Sequence, residues 1–339
     1  MIIPFFIPHS GCPHQCVFCN QKNITGQATP VDPSSIPQTV SDYLRAYKNN
    51  KPVQIAFYGG SFTALPQKAQ IAYLESARPF IRSGRIECIR LSTRPDAISS
   101  DCLFLLKEND VKIVELGVQS LNDLVLTRSG RGHTTADSIT AVNLLKERGF
   151  TIGLQLMPGL PNDSAEIFAD TVNRVIELKP DFVRIYPTLV IKGTPLEEMY
   201  RAGQYAPLSL ENAVSICREA LVRFEKTGIE VIRIGLQPTR ELEKPGIILA
   251  GPYHPAFREL VESSLFLDRM RSALRSRMDK TDSVTFQVNP ADMSAAIGQQ
   301  RSNITILQKE FGLQEIRIKA GHNILRKSGP AMLLPHEHT

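Results

Sequence analysis

The chain has 339 residues, of which 42% are hydrophobic and 22% charged, and it carries a net charge of +5. This composition suits one large folded domain or two smaller ones, and disorder is not the default reading. No apolar run reaches the roughly 18 residues of a membrane-spanning helix, and Met1–Ile7 lacks the basic start of a secretion signal, so a cytoplasmic protein is expected, with no membrane partner. Charge is weighted toward the last quarter, where Gly251–Thr339 holds 12 Lys or Arg against 9 Asp or Glu. That permits a nucleic-acid partner without requiring one.

In chain order, runs rich in Ile, Val and Phe predict strands over Phe5–Pro8, Val53–Tyr58, Arg85–Ser92, Val111–Val118, Thr151–Met157, Phe182–Pro187 and Glu230–Ile234. Their near-continuous apolar character is that of buried parallel strands. Amphipathic stretches between them predict helices over Ser34–Lys48, Pro66–Phe80, Ser100–Lys107, Ala136–Arg148, Ala165–Leu178 and Leu210–Lys226. Ser164 and Ser209 are expected N-caps, and Gly149 and Gly228 stand where C-terminal glycines belong. Such alternation gives an α/β fold with a parallel sheet, and six or seven units suit a barrel or partial (β/α) barrel over residues 1–240. In a barrel the chemistry sits at the C-terminal strand ends. The polar and glycine-rich segments Gly59-Gly60-Ser61, Ser92-Thr93-Arg94, Gln119-Ser120, Pro158-Gly159 and Tyr186-Pro187 fall there.

After Gln237-Pro238 the pattern changes. Lys244-Pro245-Gly246 and Gly251-Pro252-Tyr253-His254-Pro255 predict a connector, with a boundary near residues 240 to 250. A helix over Phe257–Arg277, a strand over Ser283–Val288, helices over Ala291–Ile297 and Asn303–Phe311 and a strand over Glu315–Lys319 then predict a small α/β domain over 251–330. The final dozen residues are expected to fray.

Three of the six cysteines, Cys12, Cys16 and Cys19, form C-x3-C-x2-C directly after the first strand. In a reducing compartment such a cluster points to metal rather than to disulfides. Three thiolates on one loop can ligate three irons of a four-iron cluster and leave the fourth open. Zinc held by the three cysteines with His9 or His14 is the alternative. Cys88, Cys102 and Cys217 show no ligand spacing and read as small core residues.

With Phe18 as its aromatic, the triad resembles the radical S-adenosylmethionine (radical SAM) superfamily. The resemblance implies a partial barrel and a 4Fe-4S cluster on Cys12, Cys16 and Cys19, whose open iron chelates the amino and carboxylate groups of S-adenosylmethionine. It implies reductive cleavage to a 5′-deoxyadenosyl radical, hydrogen abstraction from substrate, and an electron donor such as flavodoxin or ferredoxin. Gly59, Gly60 and Ser61 stand where the family binds the methionyl amino group, with Ser61 in place of the usual acidic residue. Gln119, Ser120, Gln155 and Tyr186 are expected at the barrel mouth, contacting adenosyl or substrate groups or closing the barrel top. Arg94 and His133 are candidates for a carboxylate or phosphate, or for a surface ion pair.

Further segments come in order: Ser92-Thr93-Arg94-Pro95-Asp96, Glu115–Ser120, Arg131-Gly132-His133-Thr134, Met157–Pro161, Ile185–Val190 and Lys192-Gly193-Thr194. Together they resemble the radical domain of the Elongator catalytic subunit family over residues 5 to 205, which implies wobble uridines of transfer RNA as substrate. The cysteine spacing is tighter than in that family, and its acetyltransferase domain has no counterpart here, so acetyl-CoA chemistry is not implied.

The tail, with Gly298-Gln299-Gln300-Arg301 between its two short helices, resembles a KH RNA-binding domain in which Arg301 replaces the second glycine of G-x-x-G. The resemblance implies RNA contact at Gly298 and Arg301; the alternative is a small α/β appendage that packs on the barrel. Arg271 and Arg275, one turn apart with Arg269 and Arg277 nearby, are candidates for a phosphate-contacting stripe or for a solvated helix face. Two rival functions fit the same residues. One is a radical SAM enzyme acting on a small porphyrinogen-like molecule or a peptide; the other is a non-catalytic, metal-stabilised RNA-binding protein.

Overall fold

The computed structural model describes residues 1–49, 51–276, 282–326 and 328–333. They form two compact units, the first Met1–Ala213 with Ala220–Pro255, the second Val214–Glu219 with Ala256–Thr339.

In the first unit seven strands make one parallel sheet: β1 (Ile2–Phe6), β2 (Gln54–Tyr58), β3 (Cys88–Thr93), β4 (Val111–Gln119), β5 (Thr151–Leu156), β6 (Phe182–Ile185) and β7 (Glu230–Ile234). Their order in the sheet is their order in the chain, so each crossover steps the same way and the sheet curls into a partial barrel with β1 and β7 as its free edges. All C-terminal strand ends therefore share one rim. Helices Ile36–Ala46, Gln67–Arg82, Ser100–Glu108, Thr135–Glu147, Ala165–Leu178 and Leu210–Lys226 link the strands close to the expected places. Ser164 and Ser209 accept hydrogen bonds from the Ile167 and Asn212 amides, as helix N-caps do. The helices Asp123–Arg128 and Pro195–Arg201 escaped prediction because they are too short to show a period.

The first strand differs from expectation. It runs over Ile2–Phe6 rather than Phe5–Pro8, because the Ile7 amide makes a last bond to the Tyr58 carbonyl and the Ser10 amide then turns back onto Ile7. The supposed connector also belongs to the first unit. Ile248–Ala250 pairs antiparallel with Val190–Ile191, and Leu242 is buried with Leu189 and Ile191.

The barrel interior is layered. Cys88, Ile113 and Phe182 fill its lower end with Ile232, and Arg90, Glu115 and Arg184 form the next level up their strands. The Arg90 guanidinium lies over the Phe182 ring, 5.4 Å from its centroid, joining the two levels.

In the second unit Ser283–Val288 is central, parallel to Glu315–Ala320 and antiparallel to Ala331–Leu333. The tail expected to fray thus supplies a strand, and residues 334–339 lie outside the described residues. Helices Phe257–Arg275, Met293–Ile297 and Ser302–Phe311 cover the sheet around Met270, Phe286, Val288, Ala296 and Leu307. The expected helical end at Arg277 lies outside the described residues. Asn303, almost wholly buried, donates to the carbonyls of Ser263, Ala295 and Ala296 and so ties two helices together.

Candidate active site

At the rim of the barrel a cavity of about 820 Å³ is lined by Cys12, Cys16 and Cys19 together with residues from the ends of β2 to β6. Its size is that of a small-molecule site. The cysteine loop reaches it because both of its flanks are pinned. The Ser61 amide donates to the Ser10 carbonyl, the Val17 amide to the Ser129 carbonyl, and the Leu196 amide to the Val17 carbonyl. Phe18 packs with Val190, Leu196 and Tyr205 while also lining the cavity. A Cβ on Gly60 would lie 2.4 Å from the Ser10 carbonyl oxygen, so that glycine permits the loop's approach to β2.

Cys16 is 7% exposed, and Arg131 donates to its Sγ over 3.1 Å and to the Gly117 carbonyl. Burial, then Cys16 and Cys12, push the Cys19 thiol up to about 12, and burial and Cys16 raise Cys12. Three sulfurs that oppose one another's ionisation in one cavity are a donor set that a bound cationic centre would relieve. The His9 Nε2 accepts from the Gln21 amide, which occupies one of the two histidines that a zinc site would draw on.

Gly132 presses the loop from the other side. Its φ is +68°, and an added Cβ would meet the His14 ring at 2.2 Å. Gly132→Ala is therefore expected to displace His14 and loosen the cysteine loop, costing about 1–3 kcal/mol. Lower iron occupancy after anaerobic reconstitution and a lower melting temperature would be the readout; parent-like iron and melting would refute the clamp.

Of the other expected residues, Gly59, Gly60, Gln119, Gln155 and Tyr186 line the cavity. Gln119 holds φ at +68°, and its Oε1 is buried without a hydrogen-bond partner, which marks an acceptor prepared for a ligand. Ser61 and Ser120 do not line it. The Ser61 hydroxyl accepts from the Arg94 amide, and the Ser120 hydroxyl lies 3.4 Å from that of Thr171, so both brace strand ends. Arg94 lines the cavity, but its fork is filled by Asp96 through two bonds of 2.9 Å. His133 is 5% exposed, and burial, Arg131 and Arg94 lower its pKa to about 4, so it is a neutral imidazole and not an anion-binding cation or a surface ion-pair partner.

Sequence reasoning missed the buried ions. Glu115 Oε1 lies 2.6 Å from Arg90 Nη2 and Oε2 lies 2.6 Å from Arg184 Nε, while the Tyr58 hydroxyl donates to Oε1 over 2.8 Å. Arg184 also donates to the Tyr186 hydroxyl. The available signal was a charged residue inside each of three apolar runs, two to four places before a polar strand end, since buried charges need partners.

In the second unit Arg271 pairs with Asp268 and Glu310, and Arg275 with Glu310, so both arginines of the candidate stripe are engaged in ion pairs on the helix surface. The Arg269 guanidinium lies 5.8 Å from the Phe266 ring centroid. The turn after Gly298 is different. Gln300 and Arg301 take φ of +51° and +63°, and Arg301 is exposed with no carboxylate partner among the described residues.

Residues 6–175 match the Radical SAM superfamily and residues 180–266 the Radical SAM C-terminal domain. The chain belongs to the radical SAM superfamily. It is 30% identical over 247 residues to the tRNA uridine(34) acetyltransferase of Methanocaldococcus jannaschii, covering 60% of this chain and 45% of that protein. It is 27% identical over 228 residues to Elongator complex protein 3 of Mus musculus, covering 61% of this chain and 41% of that one. The chain thus spans under half the length of these two relatives. The solved archaeal Elp3 of Methanocaldococcus infernus, with its N-terminus deleted, superposes with a TM-score of 0.61 at 23% identity, covering 80% of this chain and 63% of that one, and shows the same fold. As a radical SAM enzyme the protein uses a 4Fe-4S cluster and S-adenosylmethionine, and the cysteine loop is the donor set in its barrel that fits the cluster. No helix among the described residues is long and apolar enough to cross a membrane.

Proposed function

We propose that this radical SAM enzyme modifies RNA, with transfer RNA as the leading substrate. The observation that carries the reading is the 247-residue match, at 30% identity, to a protein named for acting on uridine 34 of transfer RNA. When bound, the cluster and S-adenosylmethionine supply a 5′-deoxyadenosyl radical for hydrogen abstraction. The residues of this chain hold, orient and shield. Cys12, Cys16 and Cys19 are the cluster ligands, and Arg131 steadies the Cys16 sulfur. Gly59 and Gly60 bring backbone against the methionyl end, and Gln119, Gln155 and Tyr186 offer hydrogen bonds to the adenosyl or substrate groups. Phe18 and Met157 keep that end of the cavity apolar and limit water.

A base inside a stem cannot reach such a cavity, so loop or splayed nucleotides are the expected targets. The second unit supplies a candidate RNA contact at Gly298 to Arg301, where a KH-like turn carries an exposed arginine in the conformation a glycine favours. Crosslinking the anaerobically prepared protein to cellular RNA and sequencing the bound fragments tests the reading; enrichment of transfer RNA loops is expected. Arg301→Glu should weaken transfer RNA binding about tenfold at moderate salt. If no RNA is enriched, a small-molecule or peptide substrate takes its place.

A further inference from the structure

The cavity carries charge that the cysteine loop does not use. Arg94, Arg131, Arg184 and Arg233 line it, and no Asp or Glu side chain does among the described residues. Arg94 is closed off by Asp96 and Arg131 is directed at Cys16 and Gly117. Arg184 and Arg90 share one carboxylate, Glu115, which leaves that level of the barrel with one positive charge in excess. Arg233 adds a second. It is partly exposed and has no carboxylate partner among the described residues.

The two arginines are neighbours by construction. Arg184 of β6 and Arg233 of β7 are register partners in the parallel ladder, on strands about 4.8 Å apart. Arg184 is fixed by Glu115, Tyr58 and Tyr186, so only Arg233 is left to respond to a ligand. Arg184 lies two residues before Tyr186, about 7 Å deeper than the strand-end groups. β7 is a free edge of the sheet, and the residues lining the cavity beside it include Gln237 and Thr239 as well as Ile2 and Pro4 of the opposite edge strand. The cavity therefore extends to the seam where the barrel does not close. Side-by-side guanidiniums repel unless an oxyanion lies against them, and a planar fork suits phosphate and carboxylate oxygens.

We infer that Arg233, with Arg184 fixed beside it on β6, forms an oxyanion subsite next to the open β7 edge that takes a phosphate of the substrate RNA strand next to the target base. This deepens the RNA reading and rests on it. The subsite would draw the strand to the open edge of the barrel while the base enters toward the cysteine loop.

The test uses the full-length chain and equilibrium binding, with uridine, uridine 5′-monophosphate, citrate and a short single-stranded RNA as probes. The parent should bind the monophosphate more tightly than uridine, and Arg233→Ala should remove most of that preference, about a 10- to 100-fold loss. Arg233→Lys should recover part of it. For the short RNA, log affinity against log salt should become shallower by about 0.7 in Arg233→Ala, the value of one lost phosphate contact. Thermal melting reports folding of each variant, and Arg233→Gln serves if Arg233→Ala does not fold. If the parent ignores RNA but binds citrate or the monophosphate in an Arg233-dependent way, the subsite stands and the RNA reading fails. If RNA binds equally well with and without Arg233, with no change of salt slope, the subsite is overturned and the RNA reading survives. A parent indifferent to every anionic probe also overturns it.

Discussion

Cys16→Ala protein is expected to assemble no four-iron cluster and to release no 5′-deoxyadenosine from S-adenosylmethionine. A four-iron cluster with one open iron needs all three protein thiolates. Cys16 is the most buried of the three and the one to which Arg131 donates, so its removal also takes away the acceptor of that hydrogen bond. Anaerobic reconstitution followed by iron and sulfide analysis, visible absorption and product assay would measure the loss. Cys102→Ala, on the helix Ser100–Glu108 and away from the cysteine loop, is the matched control and should load iron like the parent. A Cys16→Ala protein that keeps its iron and still cleaves the cofactor would remove the triad from its role.

The second large effect is structural. Glu115 is fully buried and faces two arginines, so Glu115→Gln leaves two guanidiniums without a counter-charge inside the barrel. Breaking a buried ion pair from one side costs about 3–5 kcal/mol. In a unit of this size that lowers the melting temperature by about 6–20 °C. The amide could still accept from Tyr58, so the loss measures charge and not volume. A melting temperature within about 2 °C of the parent would show that the network does not hold the barrel level together. Removing one partner differs from replacing all of them: a well-packed apolar triple substitution of Arg90, Glu115 and Arg184 should recover stability while stripping the cavity of Arg184.

The alternation of strands and helices was readable because each element carries its own signal. A buried parallel strand is a short run of Ile, Val and Phe, and a helix is a longer amphipathic run ended by a cap or a glycine. Ala165–Leu178 and Leu210–Lys226 were placed to the residue for that reason. Ile248–Ala250 lacked such a signal. Three residues among prolines and glycines resemble a linker until Val190–Ile191 lies beside them. The ion pairing of Arg271 and Arg275 was hidden for a related reason, since Glu310, which pairs with both, lies more than thirty residues along the chain.

What the sequence determined by itself was local. The spacing of Cys12, Cys16 and Cys19 sets three thiols on one loop whatever the rest of the chain does, and the order of elements leaves few topologies open. The tertiary structure alone decided which strand-end residues face the cavity and which are spent on bracing. Ser61 and Ser120 turned inward to hydrogen bonds, whereas Gln119 and Tyr186 turned to the cavity. It also decided the charge balance, because Arg90, Glu115, Arg184 and Arg233 come from four different strands. Their pairing depends on register across the sheet. Each register is set by hydrogen bonds and burial between segments distant in sequence, where no single stretch of the chain carries the information.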